Sequence, residues 1–175
     1  MHDQKILNEY FSTHWDFGSG RQITSYENIA KKIKPNEWVL DVGCGHNPFK
    51  ELLPNVVGID PAFDNADYKC TIEEFQPQRL FDVALCLGSI NFGTEDIIKN
   101  QIQKVVNCLK NNSRIYWRLN PGRQDHENEE CKKIMFFPWT FEYLEKLSKI
   151  YNYQQLKAEI DHHVTRPRLY AEWHR

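Results

Sequence analysis

Trp38-Val39-Leu40-Asp41-Val42-Gly43-Cys44-Gly45-His46-Asn47-Pro48-Phe49 is the stretch that decides the fold. Trp38, Val39, Leu40 and Val42 surround Asp41 and run into Gly43, Cys44 and Gly45. This reads as a buried parallel strand ending in a tight glycine turn that opens a helix, with Pro48 near the helix start. In a doubly wound α/β sheet, a turn at the carboxyl end of a strand is where a nucleotide-like ligand sits. The glycines let the backbone take positive φ and come close to the ligand.

Three ligands bind at such turns, and residue type separates them. A phosphate loop needs G-x-x-x-x-G-K-[ST], and no Lys-Ser or Lys-Thr follows these glycines. A dinucleotide loop needs G-x-G-x-x-G, but Pro48 stands at the third glycine, which normally permits close helix–strand packing. The third ligand, S-adenosylmethionine (SAM), has no phosphate and carries a sulfonium, an ammonium and a carboxylate. A loop with an acid, Asp41, and no lysine suits that charge pattern better than it suits a pyrophosphate.

The next strand agrees. Val56-Val57-Gly58-Ile59 is a short apolar run ending in Asp60, and an acid at the tip of the second strand can accept both ribose hydroxyls. In order, LDVGCGHNP, VVGIDP, FDVALCLGSINFG and VVNCLKNNSRIYWRLNPG resemble the class I SAM-dependent methyltransferases, over roughly Asn36 to Gly122. The resemblance implies a doubly wound seven-stranded α/β sheet, order 3-2-1-4-5-7-6. It implies SAM as cofactor and methyl transfer as the activity. Asp41, Gly43, Cys44 and Gly45 match the loop that holds the methionine moiety. Asn47 stands where many members have another glycine, and Asn tolerates the left-handed conformation. Asp60 and Pro61 match the ribose position. Thr71 or Cys70, in Cys70-Thr71-Ile72-Glu73-Glu74-Phe75, falls where members usually put an acid facing the adenine amine, and Ile72 is a further cofactor candidate beside it. Leu87 and Gly88 end the strand that faces methionine and substrate. Arg21 is the candidate for the SAM carboxylate.

On the acceptor side the candidates are Asn91, His46 and Trp15. Asn91 lies in Gly88-Ser89-Ile90-Asn91-Phe92-Gly93, where members often have polar substrate-facing residues. His46 follows the glycine loop and reads either as an exposed residue at the pocket mouth or as a base or SAM contact. Trp15 can offer its face to a cation or simply pack the N-terminal helix. Arg118 sits on a strand among Ile115, Trp117 and Leu119 and needs a partner. An acid on a covering helix is the expected one, an anionic substrate the alternative. His162-His163 reads as hairpin turn, because adjacent strand residues point to opposite faces. No general base and no metal site is assigned. The run that grips a flipped base in amino-methylating DNA enzymes, [DNS]-P-P-[YFW], is replaced by Leu87-Gly88-Ser89-Ile90.

At 175 residues the chain reads as one domain, large enough to bury about two-thirds of its unfolded surface. A hydrophobic content of 41% suits a globular core, and a net charge of −2 argues against a strong nucleic-acid binder. No apolar run approaches a membrane span, and MHDQKILNEY lacks a signal-peptide core. The five dispersed cysteines form no C-x-x-C pair, which suits a reducing cytoplasm.

Along the chain, a helix near residues 3–12 carries Ile6, Leu7, Tyr10 and Phe11 on one face. Thr24-Ser25-Tyr26-Glu27 has capping-box form and starts a second helix that Pro35 ends. Pro61 to Asp67 is too short for a normal parallel crossover, so the strand 2–3 edge of the sheet is read as reduced. Thr94 caps a helix that Asn111-Asn112 ends, and Arg114 to Leu119 is the fifth strand. Tyr143, Leu144, Leu147 and Tyr151 mark the last helix, and Tyr153–Asp161 and Arg168–His174 the terminal hairpin. Residues 1–23 are expected to form an N-terminal helix and a lid over the SAM site, and 120–138 an insertion over the substrate site. The reading is a compact methyltransferase acting on a metabolite or sugar-like precursor. Its rivals are a protein or RNA methyltransferase and a SAM-binding subunit without activity.

Overall fold

The computed structural model describes residues 3–14, 20–122, 129–162 and 166–175, with the backbone alone for 20–24. Four helices are α1 (Gln4–Thr13), α2 (Gly20–Ala30), α3 (Glu95–Asn107) and α4 (Phe141–Ile150). Six strands are β1 (Val39–Val42), β2 (Val56–Ile59), β3 (Phe81–Leu87), β4 (Leu109–Leu119), β5 (Gln154–Asp161) and β6 (Arg168–His174). They form one sheet in the order β2-β1-β3-β4-β6-β5. The first four are parallel, and β6 runs antiparallel between β4 and β5.

The strands divide their side chains between two layers, as the two-residue period requires. Leu40, Val42, Ala84, Cys86, Ile115, Trp117, Ala171 and Trp173 point to one face and pack with Ile98, Ile102 and Val105 of α3 and Leu144 and Leu147 of α4. Val39, Val83, Leu85, Tyr116 and Tyr170 point to the other and meet Tyr26 and Ile29 of α2 and Ile33 just after it. Trp117 and Trp173, on adjacent strands, pack edge to face with centroids 4.8 Å apart. At the far edge, β5 exposes most of its residues and carries Lys157 and Glu159, charges that discourage further strand pairing.

Several expectations are corrected. Among the described residues the sheet has six strands in place of seven. Where the resemblance puts a strand beyond β2, there is one isolated parallel bridge, Ile59 to Tyr68. Helix α2 is already under way at Gly20, so Thr24-Ser25 is no N-cap. The Ser25 hydroxyl is engaged instead by a tertiary partner, donating to Asp161 Oδ2 at 2.9 Å. Helix α3 stops at Asn107, and Asn111-Asn112 lie inside β4. Pairing with β3 decides this: Phe81 faces Leu109 and Val83 already faces Arg114, so the asparagines fall in an irregularity of the ladder. Thr94 precedes α3 without a side-chain capping bond, whereas Thr140 caps α4 by accepting from Tyr143 N at 3.1 Å. Among the described residues no helix is long and apolar enough to cross a membrane.

Candidate functional site

The glycine turn after β1 is left-handed three times over. Gly43 has φ +67°, Gly45 +55° and Asn47 +58°. At Gly43 there is no room for a side chain, since a Cβ would lie 2.4 Å from Ser89 Cβ on the loop after β3. Gly43 N and Cys44 N both donate to Ile59 O, at 2.8 and 3.1 Å, which fastens the turn to the end of β2. Asp60 completes the fastening. Its Oδ2 accepts from Gly45 N at 2.9 Å, and its Oδ1 accepts from Ala62 N at 2.8 Å and Phe63 N at 3.2 Å. A carboxylate offers about four lone-pair positions, so three are already used.

Behind the turn, Asp41 is buried at 3% exposure. Burial, then the charge of Asp60, push its carboxyl up to about 7, with Arg118 pulling the other way. Burial and the neighbouring acids Asp41 and Asp60 hold the Cys44 thiol far above its ordinary value, so it stays protonated. Asn47 is buried and lies outside the cavity lining; its Nδ2 donates to Asn65 O at 3.2 Å, behind the turn.

A cavity of about 430 Å³ opens over this turn. Asp41, Gly43, Cys44, Gly45, Asp60, Pro61, Thr71, Ile72, Leu87 and Gly88, ten of the sequence candidates, line it. Thr71 is partly committed, since its Oγ1 donates to Glu74 Oε2 at 3.0 Å. Three candidates lie elsewhere or do another job. Asn47 braces the turn. Asn91 is 1% exposed, donates to Gly88 O at 2.8 Å and accepts from Asn120 N at 2.8 Å, so its amide locks two loops together away from the cavity. His46 is exposed and packs edge-on against Phe63, with centroids 4.8 Å apart. Trp15 and the Arg21 side chain lie outside the described residues, as does His163.

Sequence reasoning missed part of the lining. Glu73, whose Oε1 accepts from Gln101 Nε2 at 2.9 Å, lines the cavity beside Thr71 and Ile72. Its position in Thr71-Ile72-Glu73-Glu74 was the available signal. Tyr26 lines it from α2, and Leu7, Asn8 and Phe11 from α1, where Phe11 packs against Phe92 at 5.4 Å. Of residues 120–138, Asn120 is the described one that lines the cavity. The described remainder ties to the loop after β3, with Gly93 N to Met135 O and Phe137 N to Asn91 O both at 2.8 Å. Arg118 lines the cavity as well, and its acid is on a strand, not on a covering helix. Its Nε donates to Asp161 Oδ2 at 3.2 Å, its Nη2 donates to Ser25 Oγ, and its guanidinium lies 5.3 Å from the Tyr26 ring centre. Arg166 and Arg168 line the cavity too.

Neither a family model nor a curated protein matches this sequence. Solved structures do. A 1,6-didemethyltoxoflavin-N1-methyltransferase from Burkholderia thailandensis, solved with 1,6-didemethyltoxoflavin and S-adenosylhomocysteine, is 16% identical with a TM-score of 0.72 over 98% of this chain and 88% of that one. The magnesium protoporphyrin IX methyltransferase of Synechocystis, with SAM bound, is 12% identical with a TM-score of 0.73 over 100% and 98%. The N-methyltransferase NodS of Bradyrhizobium japonicum, with S-adenosylhomocysteine, is 12% identical with a TM-score of 0.66 over 98% and 96%. At these identities the likeness concerns architecture: the chain has the fold of the class I SAM-dependent methyltransferases.

Proposed function

We propose that this protein is a SAM-dependent methyltransferase acting on a small-molecule acceptor. One observation carries the reading. The cavity over the glycine turn is lined at that end by Asp41, Asp60 and Glu73, and no lysine lines it among the described residues. The carboxylates among that lining suit the two cationic groups of SAM. At about 430 Å³ it falls in the usual range for small-molecule pockets. The residues present fit SAM in a further respect. Ser89, which lines the cavity, has a buried Oγ with no hydrogen-bond partner among the described residues, a group a polar ligand can serve. The three structural neighbours named above are methyltransferases solved with SAM or its product.

In this reading Gly43 and Gly45 bring the backbone close to the methionine moiety, and Asp41 supplies negative charge behind it. Asp60 keeps one lone-pair position for the ribose while its other bonds hold the turn in shape. Thr71, Ile72 and Glu73 face the adenine, and Leu87, Gly88 and Ser89 border the reacting end. Bound SAM would supply a methyl carbon open to in-line attack by an acceptor lone pair, with the C–S bonding pair leaving on the sulfur of S-adenosylhomocysteine. The chain's part is to hold the two reactants aligned and to exclude water, and alignment alone can supply much of the rate. Phe11 and Phe92 give the wall that does the excluding. Residues 1–23 and 120–138 are proposed as the covers of the site.

Calorimetry tests the binding step. SAM and S-adenosylhomocysteine should bind in the micromolar range, with NAD and ATP silent. Tight NAD binding without a response to SAM would overturn the reading. Transfer of label from methyl-labelled SAM should then appear in the small-molecule fraction of a cell extract, and label confined to protein or RNA would redirect the acceptor class.

A further inference from the structure

Three carboxylates and three guanidiniums line the cavity. The carboxylates that line it, Asp41, Asp60 and Glu73, come from β1, the tip of β2 and the segment after it. The guanidiniums that line it, Arg118, Arg166 and Arg168, come from the end of β4 and the start of β6.

Register makes this a constructed cluster. Arg118 lies opposite Tyr170 across the β4–β6 pair, and Arg168 is two residues from Tyr170 on the same strand. Alternation puts Arg118, Tyr170 and Arg168 on one face, the arginines as diagonal neighbours. Across the β5–β6 pair, Asp161 lies opposite Arg168 on that same face. Arg118 and Arg168 are 4% and 9% exposed, rare burial for arginine. Asp161 bonds Arg118 and Ser25 from the strand side and does not line the cavity. Burial, then the charges of Arg166 and Arg118, bring the Arg168 guanidinium down to about 10, still charged at neutral pH.

From this cluster we infer that the methyl acceptor carries an anionic oxygen group, a carboxylate or a phosphate, which docks on Arg118, Arg166 and Arg168. The inference rests on the methyltransferase reading and names the substrate class for the same site. The planar guanidinium matches both oxyanions with paired N–H bonds, and such charge-assisted bonds are about twice as strong as neutral ones. The apolar wall of Phe11 and Phe92 is left for the rest of the acceptor.

The test uses benzoate and phenyl phosphate as probes, with benzamide as the uncharged control, titrated into the full chain with and without saturating S-adenosylhomocysteine. The anions should bind at least about tenfold more tightly than benzamide. Whichever anion binds better identifies the oxygen group. Arg166→Gln, at a half-buried position that risks little folding energy, should weaken the anions by about tenfold and leave S-adenosylhomocysteine affinity within about threefold. Arg168→Gln should do the same, and Arg168→Lys should keep part of the binding. Equal binding of benzoate, phenyl phosphate and benzamide would overturn the inference, as would wild-type anion affinity in both Gln variants. It would also fall if the Arg166→Gln loss appeared equally in S-adenosylhomocysteine binding, because the guanidiniums would then serve the carboxylate of SAM itself. Anion binding that persists while S-adenosylhomocysteine fails to bind would place the failure in the methyltransferase reading and leave the anion site standing.

Discussion

Asp41→Asn should make the protein less sensitive to alkali, and the size of the effect follows from the site. An exposed aspartate titrates near 3.8, whereas burial and the charge of Asp60 raise Asp41 to about 7. Between those two values the folded state holds a proton that the unfolded chain has lost. Stability therefore falls as pH rises through that window, and the whole cost is present above it. A raise of roughly three pH units at ~1.4 kcal/mol each comes to about 4 kcal/mol. Asparagine has nearly the same shape and no charge, so it removes this term. The pull of Arg118 on the ionised carboxylate is already contained in that raise and adds no separate offset, while any packing cost of the amide does not depend on pH. The decisive reading is thus the slope and not the absolute stability. In urea melts, the stability of Asp41→Asn relative to wild type should rise by about 2.5 kcal/mol between pH 5 and pH 8. A cationic ligand reverses the penalty, so SAM affinity in the wild type should rise over the same interval and stay flat in the variant. A pH-independent difference between the two proteins would refute the placement of a buried, raised carboxyl behind the glycine turn.

The other predictions concern the bonds that shape the loops. Asp60→Ala removes the acceptor for three backbone N–H groups and should lower stability as well as SAM affinity, each by at least about 1.5–3 kcal/mol; thermal melts and calorimetry on the same samples check both. Gly43→Ala carries about 1–2 kcal/mol of left-handed strain plus a Cβ contact of 2.4 Å with Ser89. Adding Ser89→Gly should recover the contact part and leave the strain, and full recovery in urea melts would show that φ is not the constraint. Asn91→Leu strands the buried Asn120 N–H and should cost about 1–3 kcal/mol in urea melts, whatever its effect on the acceptor.

The glycine turn, the acid-tipped second strand and the alternation in β3 and β4 were legible in the sequence because their causes are local. Positive φ needs glycine or asparagine, and a two-sided sheet needs a two-residue period. Asp41, Gly43, Gly45 and Asp60 could be named for that reason. Their number in the sheet and their stops were not local. Asn111-Asn112 look like a helix end, yet strand pairing with β3 absorbs them into β4. Thr24-Ser25 look like a helix start, yet Ser25 spends its hydroxyl on Asp161, 136 residues away. Asn91 looks substrate-facing, yet both ends of its amide are taken by backbone groups of two loops.

The arginine cluster marks the boundary between the two kinds of information. Sequence by itself determined that Arg118, on an apolar strand, had to find a partner, because a buried charge is too costly alone. Only tertiary structure could decide which one. The β4–β6–β5 register sets Arg118, Arg168 and Asp161 on one face, and α2 lays Ser25 and Tyr26 over them. Sequence separation hides such pairings, since each is fixed by hydrogen-bond register between strands and not by any residue's own preference.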